Sequence, residues 1–350
     1  MLSSDSSTSA LATPCAEGWA WLDAGEGRRY CGSGPFSGSA APSEDGVSFY
    51  VNDFALSEKQ PWRVAARNSA DSPVFSENPP GIEWAEPGRD AFAQVFDELM
   101  SAVRSREILK AVPAVCASGV VQSGSVERWM RTLLTGPRDA AVQGIPFGWS
   151  DGSAGFGGYT PEILFALDGC RLTTMALAGT TDAEHAAELT ERPKLAREHT
   201  VVVDELQRRL AALGKVKTGE RKVVHQGNIR HLRTELEVTV SVEPRGEALN
   251  EIVRLMHPTP ALGISPRSPE NMARLTRCRA ATGTPDYFGA PFGVAWAGGA
   301  LFVVAIRGIF WELNRVHLPT GCGLVAGSEL DAEWAELELK RAWVQRVLGL

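Results

Sequence analysis

The chain has 350 residues, 44% of them hydrophobic and 22% charged, and carries a net charge of −7. That balance suits a globular protein with a sizeable core, arranged as one large domain or two ordinary ones. An acidic chain of this kind argues against a nucleic-acid binder, and an anionic small molecule would have to be received by a metal ion or by a few placed arginines and lysines.

The six cysteines, Cys15, Cys31, Cys116, Cys170, Cys278 and Cys322, are scattered without a C-x-x-C pair. Free thiols are therefore expected, not a zinc or redox site. The N-terminal run MLSSDSSTSALATPC lacks both a basic start and a long apolar stretch, so it does not read as a signal peptide, and a soluble, cytoplasmic protein is expected. Residues 1 to about 45, rich in Ser, Gly, Ala and Pro, suggest a tail followed by short strands. VSFYVNDFAL and PWRVAARN read as strands, and the proline-punctuated PVFSENPPGIEWAEPGRD as a loop. From Asp90 a helix is expected, with Phe92, Val95, Phe96, Leu99 and Val103 forming an apolar stripe at helical spacing. ILKAVPAVCA then reads as a strand, and IPFGWSDGSAGFGGYTPEILFALDGCRLTTMALAGT as several strands with glycine-rich turns.

Asp182 to Leu213 is helical in composition. Pro193 divides it, and proline suits a first helical turn, so a second helix is expected from there to about Leu213. Lys222 to Val242 looks like strand. Helices around 247–256 and 268–280 flank the loop HPTPALGISPR, and a last helix is expected from about Asp331 to Leu348. The uncharged stretch from Tyr287 to Ile306 is long enough to span a bilayer. However, Gly289, Pro291, Gly293, Gly298 and Gly299 interrupt it. Two buried strands, GVAWA and ALFVVAIRGIFWE, joined at Gly298-Gly299, fit better. Many strands with interleaved but not alternating helices predict a large α/β (α+β) fold, with mixed or mainly antiparallel sheets and helices packed outside. Residues 1–89 would supply the tail and a short N-terminal part, and residues 90–350 the catalytic region, within one structural domain.

The last helix carries the most chemistry. In ELDAEWAELELKRAW, Glu333, Glu336 and Lys340 are spaced i, i+3 and i+7 and share one face, while Trp334, Leu337, Val344 and Leu348 supply an apolar stripe. A solvated face with a Glu–Lys pair is one reading. A metal face is the other, because RPKLAREHTVVVDEL sets Lys194 and Glu198 one turn apart on a second helix. Carboxylates from two helices can converge on Mg²⁺, which takes few protein carboxylates and keeps room for substrate oxygens.

The loops sharpen this choice. GYTPE (158–162), LAGT (177–180), HL (231–232), HPTPALGISPR (257–267), VVAIRG (303–308) and LPTGCGLVAGSELDAEW (318–334) occur in that order. On these words the chain resembles the chorismate-utilising enzymes, the family of isochorismate synthase, salicylate synthase, anthranilate synthase component I and aminodeoxychorismate synthase. The resemblance runs from about residue 90 to the C-terminus. It implies that Glu198 and Glu336 hold Mg²⁺ with Glu333 beside it, and that the ion meets the ring carboxylate of chorismate. It implies that Tyr287 and Arg307 hold the pyruvyl-ether carboxylate, a task suited to a guanidinium. Leu177, Ala178, Gly179, Thr180, His231, Ala261, Gly321 and Lys340 match further substrate-site positions. Glycine at 179 and 321 would let the substrate approach the backbone closely.

Lys110 falls where family members that use water carry lysine, whereas those that use ammonia carry glutamine. A buried lysine can act as a base toward water and an amide cannot. Glu162 matches the general acid that protonates the departing 4-hydroxyl, a role that needs a raised pKa. Ala178 stands where aminodeoxychorismate synthases carry lysine, and salicylate synthases tend to have threonine near Ala261. The resemblance therefore implies conversion of chorismate to isochorismate, with Mg²⁺ as cofactor and no nucleic-acid or membrane partner, by a monomer or weak dimer. Salicylate synthase, an ammonia-using synthase and an inactive chorismate-binding homologue remain as alternatives. Menaquinone, a siderophore and salicylate all remain open as the destination of the product. The chain departs from the family pattern at Val115, usually arginine, and at Leu195, usually acidic. It also has Thr181-Asp182-Ala183 where an arginine–glycine commonly follows LAGT.

Overall fold

Short apolar runs with frequent glycine make strands the dominant element. The structure, a computed structural model, describes residues 18–25, 27–68, 77–137, 142–185 and 188–350. Residues 1–17, with Cys15, the first part of the tail-and-strand segment expected to about residue 45, lie outside them. Strands β1 (Trp19–Asp23), β2 (Arg29–Ser39), β3 (Ser48–Val51), β4 (Trp62–Asn68) and β5 (Gly81–Ala85) precede helix α1 (Arg89–Arg104). Next come β6 (Lys110–Ala111), β7 (Ala114–Ser123), α2 (Val126–Thr135), β8 (Ile145–Ser150), β9 (Ala154–Thr160), β10 (Ile163–Asp168) and β11 (Arg171–Asp182). Helices α3 (Glu188–Glu191) and α4 (Pro193–Leu210) lead to β12 (Val216–Thr218), β13 (Lys222–Gln226) and β14 (Ile229–Thr239). Helix α5 (Glu247–Met256), β15 (Ile264–Ser265) and α6 (Pro269–Ala281) follow. The chain then runs through β16 (Pro291–Trp296), β17 (Gly299–Val304), β18 (Gly308–Glu312) and β19 (Arg315–Gly321) to α7 (Leu330–Leu348).

Seventeen of these strands form one sheet, and β6 pairs with β15 in a separate two-stranded one. All the pairings are antiparallel. From neighbour to neighbour the path is β5–β7–β19–β18–β9–β8–β1–β2–β4–β3–β16–β17–β10–β11–β14, with β12 and β13 both against β14. So long a twisted sheet folds back on itself. Its two halves meet where Leu22, Phe147, Phe156 and Phe310 from one side pack with Phe49, Phe292 and Leu301 from the other. On the opposite face of β9, glycines make room for the outer layer: a side chain at Gly155 would overlap the Trp311 ring, and one at Gly157 would overlap Met130 of α2.

Helices cover the outer faces. On one side Val202 and Leu206 of α4 and Leu249 and Val253 of α5 pack with Leu236 and Phe302. On the other, Trp129 and Leu134 of α2 and Val344 and Leu348 of α7 pack with Trp19 and Trp311. A third cluster joins Phe92 and Leu99 of α1, Leu275 of α6 and Leu337 of α7 around Ile264 and Ala111. The fold is thus α+β, with a dominant antiparallel sheet and helices outside. No helix among the described residues is long and apolar enough to cross a membrane. Tyr287–Ile306 instead supplies the hairpin β16–β17, turning at Ala297-Gly298, with both strands largely buried.

Three expectations need correction, and one element was missed. GIEWA, read as loop, is strand β5, held by its ladder to β7 at the sheet edge with alternating exposure. ILKAVPAVCA is not one strand: Pro113 lies between β6 and β7, and Lys110 belongs to the small second sheet. ALFVVAIRGIFWE breaks between Val304 and Gly308, where Arg307 takes a φ of 59°. Helix α2 was not anticipated, although Ser125 caps it by accepting a hydrogen bond from the Arg128 N–H.

Candidate active site

The loops singled out in the sequence gather around one internal cavity. Glu162, Leu177, Ala178, Thr180, Glu198, His231, Ala261, Arg307, Gly321 and Lys340 all line it. They arrive from the loop after β9, from β11, β14, β19, α4, α7, the loop after α5 and the loop before β18. At Gly179 the β11–β14 ladder slips register, and this glycine has a φ of 75°. Its own side is crowded by the Leu195 carbonyl, 3.2 Å from where a Cβ would sit. Of the expected substrate residues, Tyr287 is not brought in. It is 37% exposed, with its ring against Phe156, and its neighbour Phe288 lines the cavity instead.

Lys110 is fully buried immediately behind this wall. Its Nζ lies 3.2 Å from Glu198 Oε1. Gly323 lets the two meet, since a Cβ there would come 2.0 Å from Glu198 Oε1 and 2.9 Å from Lys110 Cε. Glu162 is also buried, and its Oε1 accepts a hydrogen bond from Thr259 Oγ1 at 3.0 Å. Burial pushes the Glu162 carboxyl up to about 7, against the opposing pull of Thr259 and the positive charges of Lys110, Lys340 and Arg307. A carboxyl so placed retains its proton near neutrality and can donate it.

His231 and Arg307 form a second unit. Arg307 Nη2 donates to His231 Nε2 at 3.2 Å, and His231 Nδ1 lies 3.2 Å from Thr180 Oγ1. On this network the imidazole proton is assigned to Nδ1. Burial, and then the Arg307 and Lys340 charges, hold the His231 pKa well below the ordinary histidine value, so the ring is neutral. Burial likewise lowers Arg307 to about 10, which leaves it charged at neutral pH. Its Nη1 is buried without a hydrogen-bond partner, as is Thr320 Oγ1 on the same cavity wall.

The carboxylates form a third unit. Lys194 Nζ sits 2.8 Å from Glu333 Oε1 and 3.7 Å from Glu198 Oε2, while Lys340 Nζ pairs with Glu336 Oε1 at 2.7 Å and donates to the Gly321 carbonyl at 2.7 Å. Glu333 and Glu336 face a cleft between α4 and α7 that shares Thr180 with the cavity. Burial pushes Glu333 up to about 7; Lys194 opposes the shift and neighbouring Glu336 adds to it. Burial would also raise Glu198, but Lys110, Lys194 and Lys340 outweigh it and hold its pKa below the usual carboxylate value. For Lys194 burial works downward, yet the surrounding carboxylates of Glu198, Glu336 and Glu333 hold its pKa above the ordinary lysine range. Among the described residues no three His, Cys, Asp or Glu side chains cluster closely enough to hold a metal ion as they stand. Even so, Glu198 Oε2 and Glu333 Oε2 are buried with no hydrogen-bond partner, a donor set that suits a hard cation.

The sequence reading did not include Thr259, Thr320 and Gly323. All three stand inside words it had marked, Thr259 in HPTPALG and Thr320 and Gly323 in LPTGCGLVAGS, but only their neighbours in the fold give them a task. The remaining departures from the family pattern lie close by: Val115 is buried in the α1 cluster and Leu195 packs on Leu189 and Leu232.

The sequence comparisons point the same way. A family model described as "Chorismate binding enzyme" matches residues 52–349. An isochorismate synthase of Haemophilus influenzae is 29% identical over 56% of this chain and 46% of its own length. The salicylate biosynthesis isochorismate synthase of Pseudomonas aeruginosa is 28% identical over 89% of this chain and 64% of its own. The chain thus spans about half to two thirds of these relatives. The menaquinone-specific isochorismate synthase from Escherichia coli shares the fold, with a TM-score of 0.73 at 18% identity over 95% of this chain and 88% of that one.

Proposed function

The chain belongs to the family of chorismate binding enzymes, and on that premise we propose that it converts chorismate to isochorismate with Mg²⁺ as cofactor. The observation that carries this reading is the pair formed by Lys110 and Glu162. One is a fully buried lysine held against Glu198, and the other a buried carboxyl whose pKa is pushed up to about 7. They come from different parts of the fold, β6 and the loop after β9, and Lys110 pairs with Glu198 and not with Glu162.

In this reading water adds at C2 of the ring and the hydroxyl leaves C4. Lys110 takes the proton from the attacking water, and Glu162 gives its proton to the departing hydroxyl, so that water is both consumed and released. Arg307 binds a substrate carboxylate through its free Nη1, and neutral His231 orients the guanidinium. Glu198, Glu333 and Glu336 are the residues that would hold Mg²⁺, whose charge would offset that of a second carboxylate. The orphaned oxygens of Glu198 and Glu333 support this assignment. Ala178 and Ala261 keep that part of the cavity wall small and uncharged.

Incubating purified protein with chorismate and Mg²⁺, with and without ammonia, tests the reading. Isochorismate should form without ammonia and without pyruvate release. Lys110→Ala should lower turnover by about 10²–10⁴-fold while changing KM far less. Near-wild-type turnover in Lys110→Ala would refute the water-activating role, and pyruvate release would favour salicylate synthesis.

A further inference from the structure

Two buried arginines other than Arg307 direct N–H groups to backbone carbonyls, and one of them, Arg279, does so while also lying over the Phe54 ring at 3.9 Å. Arg209 donates to the carbonyls of Met256 and Pro258, and Arg279 to those of Pro285 and Phe288. Arg307 differs. It is 6% exposed, its one side-chain hydrogen bond goes to a histidine nitrogen, and Nη1 has no partner. What packs on it is an indole: the guanidinium carbon lies 5.4 Å from the centroid of the Trp343 ring on α7. Trp343 is itself 3% exposed and belongs to the cluster of Tyr159, Ile309 and Val344. The β13–β14 turn leaves room for the ring, because a Cβ at Gly227 would come 2.8 Å from Trp343 Nε1.

We propose that Trp343 is a positioning residue for anion binding: its ring face fixes the Arg307 guanidinium by cation–π attraction without using an N–H, so that Nη1 remains free for a ligand carboxylate. A carboxylate in the same place would also hold the arginine, but it would neutralise the charge that the ligand needs. A backbone carbonyl would occupy a donor. The face of an indole does neither, and among aromatic rings it binds a cation best. Helix α7 therefore serves the site three ways, with Glu333 and Glu336 on the cleft, Lys340 on the cavity wall and Trp343 behind Arg307. The inference rests on the reading of Arg307 as a carboxylate ligand of chorismate.

Steady-state kinetics with chorismate and Mg²⁺ on the full chain test it, using Trp343→Leu, Trp343→Phe, Arg307→Met and the double variant Trp343→Leu/Arg307→Met. Trp343→Leu should raise KM about tenfold with kcat within about twofold, and Trp343→Phe should recover most of that loss. In the Arg307→Met background the Trp343→Leu effect should vanish, because two residues acting through one contact are not additive. An equal effect in both backgrounds, a fall in kcat instead of a rise in KM, or no change at all would overturn the inference. If Trp343→Leu does not fold, Trp343→Tyr and Trp343→Phe carry the test: both should bind chorismate more weakly than wild type, and wild-type KM in both overturns it. If Arg307→Met leaves KM unchanged, the reading of Arg307 itself fails, and the role of Trp343 falls with it.

Discussion

Lys110 and Glu162 are chemically ordinary side chains made unusual by where the chain puts them. Burial disfavours the charged form of the Glu162 carboxyl and pushes it up to about 7, and the nearby positive groups only partly oppose that shift. Two consequences follow from the sign. As general acid, Glu162 works in its protonated form, so kcat should fall as pH rises above about 7, and a flat basic limb in a pH–rate profile would remove it from that role. For stability, a carboxyl whose folded pKa is raised favours the folded state fully below its unfolded value, near 4.5, and this contribution is lost as pH rises through about 7. Glu162→Gln should therefore flatten that part of the stability–pH curve, measured by urea denaturation, while also cutting turnover. GYTPE marked Glu162 in the sequence; its environment did not show there, because Thr259 lies 97 residues away.

At the scale of elements, the site depends on α4 and α7 presenting carboxylates toward each other, and on the loop after β19 passing between them and β6. Gly323 in that loop is the tightest point. Gly323→Ala would drive a methyl into Glu198 Oε1, so it should destabilise the protein by about 1–3 kcal/mol in chemical denaturation and lower activity at the same time. Wild-type stability and activity in that variant would show that Glu198 does not need this space. The metal assignment belongs to the same two helices. EDTA should abolish turnover and Mg²⁺ restore it, and Glu336→Gln should raise the Mg²⁺ concentration needed for half-maximal rate. Full activity in EDTA would rule out the role given to Glu198, Glu333 and Glu336. The spacing of Glu333, Glu336 and Lys340 was legible because a helix repeats every 3.6 residues. Lys194 of α4 reaches Glu333 and Lys110 of β6 reaches Glu198 from separate elements, and only the folded chain brings these pairs together.

For the molecule as a whole, the antiparallel sheet folded on itself supplies a rigid frame for loops that carry charge into its interior. Phe302 sits at a junction of that frame, stacked on Phe165 at 4.5 Å and packed against Tyr50 and Trp62. Phe302→Ala should cost about 3–5 kcal/mol of stability. The loss should register as a lower denaturation midpoint, whether or not chorismate and Mg²⁺ are present. A variant within about 1 kcal/mol of wild type would mean that the cluster under α4 and α5 closes over the missing ring.

The sequence by itself determined most helices and strands, since periodicity and glycine placement are local properties, and its ordered words marked the loops that line the cavity. It also placed a buried hairpin, within one residue of its turn at Ala297-Gly298, in a stretch that could be mistaken for a membrane span. Only the tertiary structure decided the rest. GIEWA is a strand because β7 offers it a ladder, Arg307 breaks a hydrophobic run to point inward, and Phe288 lines the cavity where Tyr287 was expected. These outcomes depend on which surfaces meet across the fold. Pairing partners, burial and electric field are set by residues distant in the chain, which no local pattern of residues encodes.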